Sequence, residues 1–153
     1  MEKKRVKEII IDTYALLAIV YDEVSGKAKR ILEEIHRGSI RGLIPVTVVY
    51  EYVIHWMKGR IPGLKSLDEV ITYLKSYFKI VNLGFDDYVQ AAIIKTRGDR
   101  ILKKAEDKEL RTRRLSIVDS TVIVLARKRS APILTGDKDL TYIARKENVE
   151  VIW

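Results

Sequence analysis

The sequence has 153 residues, no cysteine and a formal net charge of +8 at pH 7. This length predicts one domain over residues 1–153, and the lack of cysteine excludes zinc–thiolate sites, thiol catalysis and disulfide frameworks. The positive excess favours a polyanionic partner. The first residues are charged, and no apolar run is long enough to span a membrane, so we expect a cytoplasmic protein without membrane contacts.

The first predicted element is a buried strand at residues 9–11. Its three isoleucines leave no polar face, which is typical of a parallel strand covered on both sides. Asp12 ends the strand, and Thr13 is predicted to cap an apolar helix that extends to Val20. Ligands of open α/β sheets bind outside the carboxyl ends of the strands, which is where Asp12 is expected. Considered alone, Asp12 is more simply explained as a helix cap.

Short apolar strands alternate with helical patterns along the rest of the chain. Further strands are predicted at residues 40–45, 79–83, 132–134 and 149–153, and helices at 28–35, 47–57, 66–74, from 85 onward, 115–126 and 139–146. Gly59, Pro62 and Gly63 indicate a loop or lid. The alternation predicts an α/β fold, a three-layer α/β/α sandwich around a mainly parallel sheet of about five strands.

Most of the excess charge lies in residues 95–114, which hold nine basic and four acidic side chains, a net charge of +5. Charge runs of this kind are often only the solvated face of a helix. This one directly precedes the helix that carries Asp119, so contact with RNA is an equally good interpretation. Both interpretations stay open on the sequence alone.

Four acidic residues follow strands or lie in helices where such a fold brings them together: Asp12, Glu51, Asp119 and Asp137. Glu51 and Asp119 lie in otherwise apolar helices, where an unpaired carboxylate is costly to bury. Clustered carboxylates raise each other's pKa, and a divalent cation keeps them ionised. Oxygen ligands without cysteine indicate Mg²⁺ or Mn²⁺, the ions suited to metal-assisted phosphodiester hydrolysis.

Four segments resemble, in the same order, the conserved blocks of PIN-domain nucleases. They are residues 9–13, 48–54, 115–126 and 133–140, and together they extend over nearly the whole chain. In size the chain is most similar to the single-domain VapC-type toxins of VapBC toxin–antitoxin pairs, which are Mg²⁺- or Mn²⁺-dependent endoribonucleases. Two departures are Tyr14, where a small polar residue is common, and the long basic segment.

The resemblance implies a metal-binding role for Asp12, Glu51, Asp119 and Asp137, with Thr135 and Asp139 as supporting residues. It also implies RNA as the substrate, a small antitoxin protein as a partner, and a homodimer. The apolar side of the third and fourth predicted helices, with Tyr52, Trp56 and Leu67, is a candidate partner groove, and burial in the protein's own core explains these residues equally well.

His55 lies four residues after Glu51 on one helical face, a spacing that can chelate a metal. Packing beside Trp56, or support of a ligand, explains it better because no second histidine motif accompanies it. No general base is obvious, so water activation is assigned to the metal.

Other functions remain as alternatives. These are a PIN-type RNA-processing nuclease outside toxin–antitoxin systems and a noncatalytic RNA-binding module, although the latter leaves Glu51 and Asp119 unexplained. A receiver-like signalling domain is disfavoured because the third predicted strand, with Asn82 near its end, supplies no acid. A haloacid-dehalogenase-type phosphatase is disfavoured because Tyr14 stands where that family needs an aspartate.

Overall fold

Short strands and helices alternate through residues 5–153, the part of the chain that the computed structural model describes. The strands are β1 (Glu8–Ile11), β2 (Arg41–Pro45), β3 (Lys79–Val81), β4 (Ile133–Leu134) and β5 (Val151–Ile152). They form one sheet in the order β3-β2-β1-β4-β5, and every pairing is parallel. The carboxyl ends of these strands therefore meet at one edge, where binding sites of open α/β sheets form.

The connections between the strands are helical. Over residues 5–153 the helices are α1 (Thr13–Val20), α2 (Gly26–His36), α3 (Val46–Met57), α4 (Leu67–Tyr77), α5 (Phe85–Lys103), α6 (Lys108–Arg111), α7 (Ile117–Arg129) and α8 (Lys138–Lys146). None of these helices is both long enough and apolar enough to cross a bilayer.

The central strand β1 is covered on both faces of the sheet. Successive strand residues point to opposite faces, and Ile9, Ile10 and Ile11 are all 0% exposed. Helices must therefore pack on both sides, and the predicted α/β sandwich with a parallel five-stranded sheet is confirmed.

Of the two residues that the sequence offers as a cap for the first helix, Asp12 is the N-cap and Thr13 is not. Thr13 is already the first residue of α1, and Asp12 is the N-cap, because its Oδ1 accepts a hydrogen bond of 3.0 Å from the amide of Ala15. The Thr13 hydroxyl is buried and has no hydrogen-bond partner within the described range. A carboxylate one residue earlier reaches the open amides of the first turn, as an N-cap side chain does.

Other elements also differ from the predictions. The strands predicted at residues 79–83 and 149–153 are limited to β3 and β5, which are the two edge strands of the sheet and are short, as edge strands often are. The short helix α6 was not predicted, so the buried helix that carries Asp119 is the seventh of the described helices.

The helix α7 is the main support of the sheet near the acidic residues. It packs against β1, β2 and β4, and residues 120–126 are all buried. Its amino end is fixed to α5, because Lys95 Nζ donates to the Leu115 carbonyl at 2.6 Å and Asp99 Oδ1 accepts from the Leu115 amide at 2.8 Å. These bonds hold the chain just before the N-cap Ser116, and hence the position of Asp119 three residues later.

We predict that Gly42→Ala destabilises the fold. A Cβ on Gly42 in β2 would lie 2.9 Å from Phe78 Cδ1 and 3.2 Å from Ile35 Cδ1, so the added methyl group overpacks the core. Overpacking of this kind costs about 1–3 kcal/mol of unfolding free energy, measurable by urea denaturation. The control is Gly63→Ala, where a Cβ meets nothing within 4 Å. Equal midpoints for the two variants would contradict the packing described.

Candidate metal centre

Asp12 lies at the junction of β1 and α1 and is only 2% exposed. Its two oxygens have separate partners. Oδ1 accepts from the Ala15 amide at 3.0 Å, and Oδ2 accepts from the hydroxyl of Thr135 at 2.7 Å. Asp12 is therefore a helix cap, as its position alone suggests, and it is also fixed towards the end of β4.

Two further aspartates meet Asp12 at this edge of the sheet. Asp119 lies in the first turn of α7, where its amide donates to the N-cap Ser116 Oγ at 2.9 Å. Asp137 is the N-cap residue of α8. One carboxylate oxygen of each of Asp12, Asp119 and Asp137 lies within 4.8 Å of the other two. The structure thus brings together three of the four acids that the sequence singles out.

Thr135 connects two of these acids. Its hydroxyl donates to Asp12 Oδ2 and accepts at 3.0 Å from the amide of Asp137, and its side chain is fully buried. One hydroxyl thereby fixes a carboxylate at the end of β1 and the backbone that follows β4. This geometry agrees with the supporting role predicted for Thr135, although its function stays a prediction.

Burial controls the protonation of the three aspartates. Desolvation is the largest cause in each case, and it raises the pKa of Asp12 to about 7 and the pKa of Asp119 and of Asp137 to about 8. Hydrogen bonds from Ala15 and Thr135 lower the pKa of Asp12, and the negative charge of Asp137 raises it. Without a cation, this cluster holds protons at neutral pH.

Glu51 lies near the cluster but outside the group of three that meets within 4.8 Å among the described residues. It is half-buried in α3, and its negative charge raises the pKa of both Asp12 and Asp119. That influence is long-range electrostatics, with no hydrogen bond required. Glu51 as a fourth metal ligand therefore stays a prediction.

His55 has a different neighbour. Its Nδ1 lies 2.7 Å from a guanidinium nitrogen of Arg60, and burial together with the positive charge of Arg60 lowers the pKa of His55. The side chain is thus held neutral by contacts in the loop after α3. This arrangement agrees with a packing role, and His55 is not in the three-carboxylate group found among residues 5–153.

Asp139 lies beside Asp137 and pairs with a basic residue that the sequence did not single out. A guanidinium nitrogen of Arg113 donates to Asp139 Oδ1 at 3.2 Å. The Asp139 side chain also lies close enough to that of Asp137 to raise its pKa, whereas Arg113 lowers it. In the sequence, the only signal for Arg113 was its membership of the basic segment.

The basic segment at residues 95–114 proves to be partly structural. Four of its nine basic side chains have protein partners: Lys95 with Asp99, Arg97 with Glu147, Arg111 with the Ala105 carbonyl, and Arg113 with Asp139. Arg97 and Arg127 both bind Glu147, whose side chain is 8% exposed. Contact with RNA is therefore open only for the basic residues of this segment that have no such partner.

A pair of aromatic rings encloses the backbone between Thr135 and Asp137. The rings of Tyr14 and Trp153 are 5.5 Å apart in an edge-on arrangement, and a Cβ on Gly136 would lie 2.6 Å from Trp153 and 2.7 Å from Tyr14. A side chain at this position would have to displace a stiff ring. Tyr14, a departure from the family pattern, is thus one wall of a tight turn beside the acids.

The donor set fits a hard divalent cation. In residues 5–153, no Lys or Arg lies within 4.0 Å of a carboxylate oxygen of Asp12, Asp119 or Asp137, so the mutual repulsion of these acids is not offset by an ion pair. Carboxylate oxygens without sulfur are the ligands that Mg²⁺ and Mn²⁺ prefer. A cation at this place would supply the missing positive charge.

We predict that Thr135→Val weakens metal binding. The variant keeps the shape of the side chain but loses the hydroxyl that joins Asp12 to the Asp137 amide. Loss of a residue that orients ligands typically costs about 10–100-fold in metal affinity, measurable by calorimetric titration with Mn²⁺. Thr135→Ser keeps the hydroxyl and should retain most of the affinity. Equal affinities of both variants would argue against this role of the hydroxyl.

The chain resembles a known protein family in sequence and several solved structures in fold. The sequence matches the PIN domain family over residues 9–146. No curated protein sequence matches the chain significantly. Solved structures do match it in fold, at low sequence identity.

Three of these structures illustrate the likeness. Rickettsia felis VapBC2, bound to a promoter DNA fragment, shares 13% identity with a TM-score of 0.60, over 95% of this chain and 98% of that one. Mycobacterium tuberculosis VapC20, a toxin that cleaves the sarcin–ricin loop, shares 17% identity with a TM-score of 0.57, over 88% and 93%. A Pyrobaculum aerophilum protein, PAE2754, shares 15% identity with a TM-score of 0.55, over 95% and 83%. At such identities the likeness concerns the fold.

Proposed function

The chain belongs to the PIN-domain family, and from that premise we propose that it is a metal-dependent endoribonuclease that hydrolyses phosphodiester bonds of RNA. The observation that carries the proposal is the meeting of Asp12, Asp119 and Asp137 at the carboxyl edge of the sheet, with one oxygen of each within 4.8 Å of the others. The net charge of +8 suits a polyanionic substrate.

In the proposed reaction, Asp12, Asp119 and Asp137 hold Mg²⁺ or Mn²⁺, with Glu51 as an additional acid nearby. When bound, such an ion supplies Lewis-acid polarisation of a phosphate and lowers the pKa of a water molecule. Thr135 keeps Asp12 in place by its hydrogen bond of 2.7 Å.

Neither histidine of the chain is a good candidate for the general base. His55 is engaged with Arg60, and the ring of His36 packs on that of Tyr77 with centroids 4.3 Å apart. The chain's own contribution is therefore the placement of carboxylates at the reacting phosphate, and activation of water is left to the cation.

We further propose that the protein is the toxin of a toxin–antitoxin pair. The support is its likeness in fold to VapC20 and VapBC2, proteins whose names describe a toxin and a toxin–antitoxin complex. A PIN-type RNA-processing nuclease is the alternative. A cytoplasmic location, and the extent of one nuclease domain over residues 1–153, stay predictions that accompany this proposal.

The partner surface proposed from the sequence needs revision in one residue. Tyr52 is 1% exposed and belongs to the core, so it is not available to a partner. Leu67 is 47% exposed, and Trp56 is half-buried and donates to the Leu64 carbonyl at 2.8 Å. Leu67, with Ile71 one turn later, remains as a candidate surface for the antitoxin.

A homodimer is proposed on a different helix. Phe85, Val89 and Ile93 of α5 are 84%, 42% and 47% exposed and recur every four residues, so they form one apolar stripe. Exposed apolar patches on a protein surface are typical of interaction sites. Sedimentation of the wild type and of Val89→Lys tests this, since a dimer through the stripe would dissociate in the variant.

The nuclease proposal is tested by incubating the purified protein with labelled RNA. Cleavage is expected with Mg²⁺ or Mn²⁺ and should stop when excess chelator is added. If RNA is bound but never cut under any of these metal conditions, the noncatalytic RNA-binding module is the better interpretation.

The toxin proposal needs a separate experiment. Expression of the protein alone should arrest growth and degrade RNA, and a short partner protein expressed with it should restore growth and co-purify with it. Undisturbed growth together with cleavage in vitro would favour an RNA-processing nuclease.

A further inference from the structure

A cleft of about 1420 Å³ opens beside the candidate metal centre. Thr135 and Gly136 form part of its wall, so the cleft begins at the turn that leads to Asp137. The rest of the wall comes from the start of α2, the connection between α5 and α6, α8 and β5. Small-molecule pockets typically measure about 300–1,000 Å³, so the size of this cleft suits a polymer.

Positive charge predominates on the walls. Five basic residues and two acidic residues line the cleft: Lys27, Lys104, Lys138, Arg145 and Lys146, with Glu106 and Asp107. Lys138 is neutralised by Asp107 and Glu109, at 2.5 Å and 2.7 Å. Within the described residues, the other four cations have no carboxylate within 4.0 Å. Uncompensated cations that line a groove attract phosphates.

These cations contrast with the basic residues that bind Glu147 at the end of α8. Arg97 and Arg127 are both bound to Glu147, at 2.7 Å and 3.5 Å, so their charge is already used within the protein. The unpaired cations of the cleft have no such structural function among the described contacts. Four unpaired cations around one groove form a positive surface that suits an anionic ligand.

Two aromatic rings lie among the cations. Tyr142 has Lys146 Nζ 5.4 Å from its ring centroid, and Trp153 lines the cleft and lies against Gly136 and the ring of Tyr14. Basic grooves with aromatic side chains are typical of proteins that bind single-stranded nucleic acid, because unpaired bases stack on the rings. We use the name basic cleft for the surface formed by Lys27, Lys104, Tyr142, Arg145, Lys146 and Trp153.

We propose that the basic cleft binds an unpaired stretch of RNA on one side of the cleaved phosphate. The phosphates lie against Lys27, Lys104 and Arg145, and one base stacks on Trp153. This rests on the proposed nuclease function, which places the cleaved phosphate at the aspartates. A duplex keeps its base faces stacked on one another, so the basic cleft selects single-stranded or looped RNA.

The first test measures binding without cleavage. Asp119→Asn protein in chelator is titrated with a short fluorescent RNA, alone and with Lys104→Gln/Arg145→Gln added. The matched control adds Lys75→Gln/Lys79→Gln, which also removes two charges but lies on α4 and β3, at the opposite edge of the sheet from β5. We expect Kd to rise about tenfold or more for the cleft variant, and the slope of log K against log salt to fall by about 0.7 per lost phosphate contact.

The second test detects stacking. Trp56→Phe leaves Trp153 as the single tryptophan, since the sequence has two. Single-stranded RNA is expected to quench the fluorescence of Trp153, and the same sequence in a duplex is expected to leave it unchanged. Poly-glutamate serves as a competitor, to represent an acidic protein segment.

The outcomes separate this proposal from the nuclease proposal. Equal weakening by the cleft and control variants, or none by either, overturns the basic cleft as an RNA site even if the wild type cleaves RNA. Displacement by poly-glutamate without any quenching by RNA overturns it in favour of an acidic protein partner. Selective weakening and quenching by an uncut RNA support the cleft, and a lack of cleavage with every metal would then count only against the nuclease.

Discussion

Asparagine in place of Asp119 is expected to lower metal-dependent RNA cleavage by about a thousandfold, since several kcal/mol of charge stabilisation in the transition state depend on the cation. Asp119 is one of the three carboxylates that meet within 4.8 Å, and no other described acid takes its place in that group. Asparagine keeps the shape of the side chain. It also keeps the hydrogen bond to Ser116 Oγ, because the backbone amide of residue 119 donates it. Single-turnover cleavage of labelled RNA with saturating Mn²⁺ measures the effect.

The chain offers a matched control for this variant. Glu69 occupies the same place in α4 as Asp119 in α7, three residues after a serine N-cap, and its amide donates to Ser66 Oγ at 3.2 Å. Glu69→Gln removes one negative charge from an exposed helix start away from the aspartates and should cleave like the wild type. Wild-type rates for Asp119→Asn, or for Asp12→Asn, would refute the assignment of the site.

The stability of the metal-free protein is expected to fall as pH rises from about 4 to about 8. An aspartate whose pKa is 3.8 when exposed and about 7 or 8 in the fold binds more protons when folded within that window. Folding is therefore favoured at low pH, and the advantage disappears as pH passes the folded pKa values. Thermal melts in chelator across this range measure the trend.

Two changes, an added metal ion and a substitution at Asp119, should reverse this loss of stability. The proposed metal centre exists only in the folded protein, so Mg²⁺ or Mn²⁺ should raise the melting temperature at pH 8 by mass action. Asp119→Asn removes one of the repelling charges, and we expect it to gain on the order of 1 kcal/mol at pH 8 without metal, and to respond much less to metal.

Other titrating groups act in different directions or at different pH. Burial and the charge of Arg60 lower the pKa of His55, so its contribution to stability increases with pH and opposes the trend. The lowered pKa values of Asp87 and Asp99 oppose the trend only at the acidic start of the window, because both groups are ionised in the folded and unfolded states above about pH 5. A variant that is destabilised and indifferent to metal would show that Asp119 is a structural residue.

Local sequence patterns predicted most of the fold and the order of the acids along it. The isoleucine run at residues 9–11 and the acid directly after it predicted β1 and the place of Asp12, because both features depend on near neighbours. A position shortly after a predicted strand also singled out Asp137, and an acid within an otherwise apolar helix singled out Asp119. The alternation of strands and helices predicted the parallel sheet, because this pattern is visible without knowledge of contacts.

Contacts between residues far apart in the sequence could not be predicted from local patterns. Nothing near Arg113 in the sequence points to Asp139, and the approach of Tyr14 to Trp153 brings opposite ends of the described chain together. The capping role of Thr13 was misassigned by one residue, since Asp and Thr are both good N-caps and pattern alone does not separate them. Such pairings depend on how the elements dock.

The bond from the Thr135 hydroxyl to Asp12 joins residues 123 positions apart in the sequence. A growing chain on the ribosome holds Asp12 long before Thr135 and Asp137 have been made, and until β4 docks beside β1 the three acids are not together. The site is thus completed only after Asp137 has been made. On the proposed function, the nascent chain lacks a complete metal centre, so the messenger RNA and the ribosome that produce it meet an active nuclease only after β4 has docked beside β1.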